Sequence, residues 1–144
     1  MRRVSVSVVG FALATSLSAS AKEAQVPFKV IVNPRVTGRT LARDALAQIY
    51  LGKADRWSNG GLIVAVDLSS TSAVREAFSA GVLGMSVEAV KHYWLRRISA
   101  GRWPPVTKSS DEDVIAFVAA EPGGVGYVSA ETPVPATVRE VALE

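Results

Sequence analysis

Apolar and amphipathic segments alternate along the first half of the chain. Residues 28 to 32 (FKVIV) are rich in strand-forming residues, and the Asn-Pro pair after them is typical of a turn. Residues 40 to 51 repeat apolar side chains at helical spacing, and Gly52 is placed to end that helix. Residues 62 to 66 (LIVAV) form a continuous apolar run, which is typical of a strand covered on both faces. This half is therefore predicted to fold as strand, helix, strand.

The second half of the chain favours helices. A helix is predicted to begin near Ser72 and to end at Gly84, and Ser86 is predicted to cap the next helix. We expect residues 99 to 108 (SAGRWPPVTK) to form a loop. The segment from Ser109 to Glu112 matches a capping box, so a further helix is predicted to begin there.

Two segments near the C terminus are predicted strands. Residues 123 to 129 (GGVGYVS) combine a turn with an apolar run, and residues 137 to 143 (TVREVAL) alternate in character. The complete order of elements predicts an α/β layer with parallel strand pairing and helical crossovers.

The first 21 residues have the pattern of a secretory signal peptide. Two arginines come first, Val4 to Leu17 is mostly apolar, and Ala19 and Ala21 have the small-x-small spacing that signal peptidase reads. The apolar stretch is shorter than the about 20 residues of a permanent span; a surface anchor helix is the alternative. We therefore expect a signal peptide at residues 1–21, cleavage near Ala21, one domain at residues 22–144, and a periplasmic location.

Composition excludes several functional classes. The chain has 16 Lys and Arg against 13 Asp and Glu, and without Arg2 and Arg3 the balance is 14 against 13, so nothing favours a nucleic-acid partner. There is no cysteine and therefore no disulfide framework. The single histidine, His92, lies four residues from both Glu88 and Arg96 and is expected to form a surface ion pair. We expect no catalytic residues, no metal site, no cofactor, and no membrane span after signal cleavage.

Four consecutive hydroxyl residues are the main candidates for a binding site. Ser69, Ser70, Thr71 and Ser72 lie between an apolar run and a predicted helix, and Arg75 follows within one helical turn. Hydroxyl side chains at a helix start are ordinary caps. The free N–H groups and the positive dipole at such a start also suit an anion. Both interpretations fit the pattern.

Three segments, taken in order, resemble the family of phosphate ABC-transporter substrate-binding proteins. LARDALAQIYLGKADRW (41–57) is similar to a helix that ends in an I-[FY]-x-G-K box followed by Trp. VDLSSTSAVREAF (66–78) is similar to the family's anion loop, and EPGGVGYVS (121–129) to its return strand. The resemblance covers roughly residues 28 to 130.

The family has a type 2 periplasmic-binding-protein fold, in which two α/β lobes close on phosphate. This chain is too short for both lobes. The resemblance therefore implies a single lobe of that fold, with a mixed, mostly parallel sheet flanked by helices.

The anion loop departs from the family at three of its four phosphate contacts. With Phe78 aligned, Ser72 keeps the loop serine, whereas Leu68 stands at the arginine, Ala73 at the glycine and Val74 at the threonine. Each lost charge-assisted hydrogen bond costs about 1.5–3 kcal/mol. The resemblance thus implies an anion site that binds weakly or needs a partner.

Basic residues elsewhere are expected to compensate. Arg35, Thr37 and Arg39 follow the first predicted strand, and such loops bind ligands in many α/β folds. We therefore expect the anion to be held by Ser69 to Ser72 together with Arg35, Thr37 or Arg75.

The leading hypothesis is a non-catalytic, exported solute-binding-like protein for phosphate or a related oxyanion. It would serve phosphate transport with an ABC transporter or receptor component as partner. The alternative is a non-catalytic periplasmic interaction module that uses the lobe as a scaffold and docks a protein on its former cleft face. A homodimer that joins two cleft faces would combine both hypotheses.

Overall fold

The computed structural model describes residues 27–144, and the signal-peptide expectation lies outside them. These residues form six strands and four helices, together with one π-helical turn at Ser79–Leu83. The strands are β1 (Phe28–Val32), β2 (Thr40–Leu41), β3 (Val64–Leu68), β4 (Val106–Lys108), β5 (Gly124–Ser129) and β6 (Arg139–Leu143). The helices are α1 (Arg43–Tyr50), α2 (Ala73–Phe78), α3 (Val87–Ile98) and α4 (Asp111–Ala120).

All six strands belong to one sheet with the order β2-β6-β1-β5-β3-β4. Three of the five pairings are parallel, and β1 pairs antiparallel with both β5 and β6. Five strands therefore run in one direction and end at the same edge, which we call the carboxyl-end edge. The strand β1 begins at this edge and ends at the opposite one, the amino-end edge. The predicted mixed, mostly parallel sheet flanked by helices is confirmed.

The two faces of the sheet are buried by different kinds of side chain. Gly126 lets α4 approach closely, because a Cβ there would lie 2.8 Å from methyl groups of both Val66 and Val114. Tyr127 is adjacent in β5 and points to the other face. There its ring stacks on Phe78 at 3.8 Å between ring centres, and Tyr50 lies edge-on to both. The core thus has an aliphatic face under α4 and an aromatic face under α1 and α2.

Capping serines and a helix-ending glycine in the sequence predicted most helix ends correctly. Ser72 caps α2, Ser86 caps α3, and Gly84 ends the intervening turn with a positive φ of 63°. The helix α4 is capped by Ser110, whose Oγ accepts the Asp113 N–H at 3.2 Å. The prediction of Ser109 as its cap is wrong by one residue, because two serines in succession offer the same chemistry.

Strand predictions needed larger corrections. The predicted loop at residues 99–108 is wrong at its end, where β4 pairs with β3 in a three-residue edge strand. Such a short strand leaves no periodicity to detect. The strand β3 begins at Val64, two residues later than predicted, and Leu62 is 59% exposed. The two-residue strand β2 was not predicted.

Candidate functional site

The hydroxyl segment Ser69–Ser72 lies at the carboxyl-end edge, directly after β3. The Ser69 N–H donates to the carbonyl oxygen of Lys108 at 2.9 Å, which ties the end of β3 to the end of β4. The Ser72 N–H donates to the carbonyl oxygen of Ser69, also at 2.9 Å, and closes a tight turn. Backbone hydrogen bonds therefore fix the conformation of the segment at both Ser69 and Ser72.

The four hydroxyls of this segment have different uses. The Oγ of Ser72 accepts the Arg75 N–H at 3.3 Å, so the capping interpretation is confirmed for Ser72. The Ser69 and Thr71 hydroxyls contact each other at 3.0 Å. Ser70 is exposed, and among residues 27–144 its hydroxyl has no hydrogen-bond partner. Ser70 is thus the hydroxyl with the most freedom to meet a ligand.

A buried acid that the sequence analysis did not single out lies beneath the segment. Asp67 is next to last in β3, and its side chain is only 10% exposed. Its Oδ1 accepts hydrogen bonds from the Tyr127 hydroxyl and from the Leu68 N–H, the latter at 2.9 Å. Its Oδ2 lies 3.3 Å from Nη1 of Arg75.

Arg75 is held by two neighbours at once. Its Nη1 donates to the carbonyl oxygen of Leu68 at 2.7 Å while it faces Asp67, and its side chain is 11% exposed. Both of these contacts use Nη1. Within the part of the chain that the structure describes, Nη2 and Nε have no such partner. One side of the guanidinium is fixed and the other remains available.

Burial governs the titration of these groups. It raises the pKa of Asp67, while the Arg75 charge and the hydrogen bonds from Tyr127 and the Leu68 N–H act in the opposite direction. Burial also raises the pKa of Tyr127 and of Tyr50, and the negative charge of Asp67 adds to both shifts. The two phenols therefore stay protonated and act as hydrogen-bond donors.

One sequence signal could have pointed to Asp67. It is the only charged residue in an otherwise apolar strand, and an arginine follows eight residues later in the next helix. A lone acid in such a strand must find partners, because a buried unpaired charge is costly. Its phenol partner, Tyr127, is 60 residues away, and no local pattern links the two.

The structure does not bring Arg35 and Thr37 to this site, and the expectation that they share it is wrong. Val32 at the end of β1 pairs with Val125, whereas β3 begins beside Gly124. Because β1 runs against its neighbours, its following loop lies at the amino-end edge. Five residues of β3 separate the two edges, roughly 15 Å at about 3.3 Å per residue.

Arg35 belongs to a different surface. It lines a cavity of about 380 Å³ with Trp57, Leu62 and Glu121. Its side chain is exposed, as is that of Thr37. Of the predicted site residues, the structure thus brings together Ser69, Ser70, Thr71, Ser72 and Arg75 only.

A second cavity opens beside the hydroxyl segment, between α3 and β4. Its volume is about 340 Å³. Asp67, Ser70, Arg75 and Thr107 line its polar side. The opposite side is formed mainly by apolar residues of α3 and of the loop before β4: Val87, Val90, Trp94, Leu95, Ile98, Pro104 and Pro105.

Some of the remaining charges lie near the hydroxyl segment: Glu88 and Lys91 of α3 line the same cavity as Ser70, and Glu76 and Glu88 line a further cavity with it. The Lys108 ammonium lies 5.6 Å from the ring centre of Phe117, on the α4 face of the sheet. His92 lies 3.6 Å from Glu88 on the exposed face of α3, so their predicted contact is confirmed. Residues 27–144 contain no group of three His, Cys, Asp or Glu side chains that could hold a metal ion. Within the same residues, no helix has the length and apolar character needed to span a bilayer.

Comparison by sequence finds no counterpart: no protein-family model and no curated protein matches the chain. Solved structures do resemble it. An ABC-type phosphate transport receptor from Vibrio cholerae aligns with a TM-score of 0.63 and 18% identity, over 81% of this chain and 46% of that protein. PstS from Borrelia burgdorferi aligns with a TM-score of 0.64 and 14% identity, over 82% and 47% of the two chains. The chain has a PstS-like fold.

A further similar structure comes from Clostridium perfringens, from a protein assigned as a phosphate ABC transporter substrate-binding protein and containing bound phosphate. It aligns with a TM-score of 0.63 and 19% identity, over 81% of this chain and 44% of that protein. At these identities the likeness is one of fold. The chain spans less than half the length of each of these proteins.

In this PstS-like chain a guanidinium lies beside position 68 although the residue there is leucine. The Leu68 side chain is buried in the core, and its carbonyl oxygen accepts from Arg75. Val74 is half-buried against the core and supplies no hydroxyl. The positive charge at this edge therefore comes from the first turn of α2 instead of from the end of β3.

Proposed function

We propose that this chain is a non-catalytic, exported solute-binding-like protein that binds phosphate or a related oxyanion at the carboxyl-end edge and serves phosphate transport. One observation carries the proposal. Arg75 presents the free side of a fixed guanidinium beside Ser70, a hydroxyl that no other described residue uses. Guanidinium and hydroxyl donors are the groups that recognise phosphoryl oxygens.

Binding by the chain alone is expected to be weak. Leu68 and Val74 offer no polar side chain where the resemblance implies an arginine and a threonine. Asp67 also neutralises part of the Arg75 charge. The edge lies open to water, where charge interactions are several-fold weaker than in a dry cleft. A partner that covers the edge would strengthen binding. This partner would be a second copy of the chain or an ABC transporter or receptor component.

Calorimetry with phosphate, sulfate and arsenate tests the proposal. We expect saturable heats with tetrahedral oxyanions in the millimolar range, and a higher affinity when a covering partner is added. Chloride at equal ionic strength controls for general screening. The absence of saturable heat up to millimolar ligand, with and without partner, would remove the solute-binding role.

Export belongs to the same proposal. Residues 1–21 have the pattern of a signal peptide, and solute-binding proteins of this kind act outside the cytoplasmic membrane. We expect the exported protein to begin at Lys22, after cleavage at Ala21. N-terminal sequencing of protein from the periplasmic fraction checks this, and a start at Met1 in that fraction would contradict it.

A protein-interaction module is the second candidate function. It is favoured by Trp103, which is 74% exposed, and by Leu95 and Val106 nearby in the α3–β4 region, which are also exposed. Large exposed apolar side chains with neighbouring arginines are typical of docking surfaces. Trp103 and Val106 lie at the amino end of β4, away from the carboxyl-end edge, whereas Leu95 lines the cavity beside the hydroxyl segment. A complex captured from periplasmic extract should be lost on Trp103→Ala and should survive Ser72→Ala.

A further inference from the structure

The cavity between α3 and β4 has a shape and lining that suit more than an inorganic ion. We propose that the anion bound beside Arg75 carries an apolar substituent, as an alkylphosphonate or a phosphate monoester does, and that this substituent lies in the cavity. The inference rests on the proposed function of the same site and names its ligand class.

The cavity and the anion site share their polar residues. Arg75, Ser70 and Asp67 line one end of the space, and Thr107 adds a hydroxyl from the edge strand β4. At about 340 Å³ the space lies at the lower end of the range for small-molecule pockets, about 300–1,000 Å³. An anion at the free side of Arg75 would therefore direct any substituent into this space.

Apart from the exposed Lys91, the far side of the cavity is lined mainly by apolar side chains. Leu95 on α3 is 55% exposed, and the more buried Trp94 and Pro105 line the same cavity. Apolar side chains provide no hydrogen bonds to replace the water that an oxyanion gives up. An alkyl chain instead removes this wall from water, and each buried CH₂ contributes about 0.8 kcal/mol. At 1.4 kcal/mol per tenfold, that contribution is about a fourfold gain in affinity.

The charges around the cavity determine the orientation of the bound ligand. Arg75 and Lys91 are balanced by Asp67 and Glu88. Asp67 is buried, its Oδ2 is paired with Arg75 and its Oδ1 accepts from Tyr127 and the Leu68 N–H, so both of its oxygens are already engaged. Glu88 is exposed and lies beside His92, where solvent screens it. The free guanidinium nitrogens, together with the Lys91 ammonium, therefore favour an anionic head group.

A homologous series of ligands tests the inference. Calorimetry on the protein with phosphate and with methyl-, ethyl-, propyl- and butylphosphonate should give dissociation constants that fall about three- to fourfold per added CH₂. The fall should stop once the cavity is filled. Butanol, which has the same chain without the anionic head, should not bind.

Two matched leucine variants test whether the alkyl chain of the ligand lies in the cavity. Leu95→Ser removes an exposed apolar side chain from the cavity wall and should weaken butylphosphonate about fivefold while leaving phosphate unchanged. Leu62→Ser removes a similarly exposed leucine at the amino-end edge and should change neither. Both side chains are largely outside the core, so both variants are expected to fold.

Each other result overturns a stated part of the proposal. Phosphate binding with equal affinity across the phosphonate series would overturn the inference and leave the proposed function standing. Butanol binding as tight as that of butylphosphonate would overturn the inference, because the head group would play no part. Binding of none of these ligands, phosphate included, would overturn the inference and the proposed function together.

Discussion

Two arginines that look alike in the sequence occupy opposite edges of the sheet and have different environments. Arg75 is held by Asp67 and by the Leu68 carbonyl oxygen, with its side chain 11% exposed. Arg35 is exposed and follows β1 at the amino-end edge. Each has a hydroxyl residue close in sequence. A guanidinium oriented by buried neighbours loses less side-chain entropy on binding an anion than a free one does. The difference therefore makes Arg75, and not Arg35, the candidate ligand residue.

The largest expected effect comes from removing the acid that orients Arg75. Asp67→Ala leaves a largely buried guanidinium and a buried phenol without their partner. Breaking a buried ion pair in this way costs about 3 kcal/mol of unfolding free energy, at the lower end of the usual range. Glu121→Ala at the amino-end edge should change the stability by less than about 0.5 kcal/mol. Urea unfolding measures the stability of both variants. Equal losses of unfolding free energy would show that the two edges do not differ in this respect.

The arginines themselves should differ in ligand binding. Arg75→Met removes the charge-assisted hydrogen bonds to the anion, each about 1.5–3 kcal/mol. Phosphate affinity should therefore fall roughly tenfold to hundredfold. Arg35→Met is the matched control and should leave the affinity unchanged. The phosphate affinities are measured by calorimetry, at a temperature where circular dichroism shows that both variants are folded. A loss with Arg35→Met of the same size would show that the edges are equivalent.

The pH dependence of stability should report the burial of Asp67. Its pKa in the folded chain is raised above the unfolded value of about 3.9. The folded state thus binds this proton more tightly, so the contribution of Asp67 is fully present below about pH 3.9 and is lost as the pH rises through the raised pKa.

Asp67→Asn lacks this titration. The unfolding free energy of the natural chain minus that of Asp67→Asn should therefore fall as the pH rises from about 4 towards 8. Urea unfolding at several pH values measures the difference. A difference that rises with pH would mean that attraction to Arg75 outweighs the cost of burial.

The smallest expected difference in stability is between removing the Ser72 hydroxyl and removing the Thr37 hydroxyl. Ser72→Ala removes the cap of α2 and should cost about 1 kcal/mol. Thr37→Ala at the amino-end edge removes an exposed hydroxyl and should change the stability by less than about 0.5 kcal/mol. Thermal unfolding of the two variants compares them. Equal effects would mean that the Ser72 cap contributes nothing beyond an ordinary surface hydroxyl.

Helix boundaries were predictable because their signals are local. A cap such as Ser86 and a stop such as Gly84 act within a few residues and leave a readable pattern. The mixed sheet also followed from the element order and from the family resemblance. The hydroxyl segment was found for the same reason, since four adjacent residues form one pattern.

The rest of the site depends on contacts between distant residues. The direction of β1 is set by its pairing with β5, about a hundred residues later, and this direction alone decides which edge Arg35 occupies. The contact between Asp67 and Tyr127 spans 60 residues. Periodicity and turn chemistry describe short stretches, so neither could indicate these contacts.

The reversed direction of β1 has a practical consequence for handling the protein. Phe28 pairs with Ser129, and Leu143 ends β6 beside the start of β1, so Phe28 and Leu143 both lie at the carboxyl-end edge. Phe28 lies two strand spacings from the end of β3, or about 10 Å. An affinity tag or a surface linker attached next to Phe28 or Leu143 would crowd the proposed binding edge. A fluorophore or immobilisation point is better placed near Thr37, on the far side of the sheet.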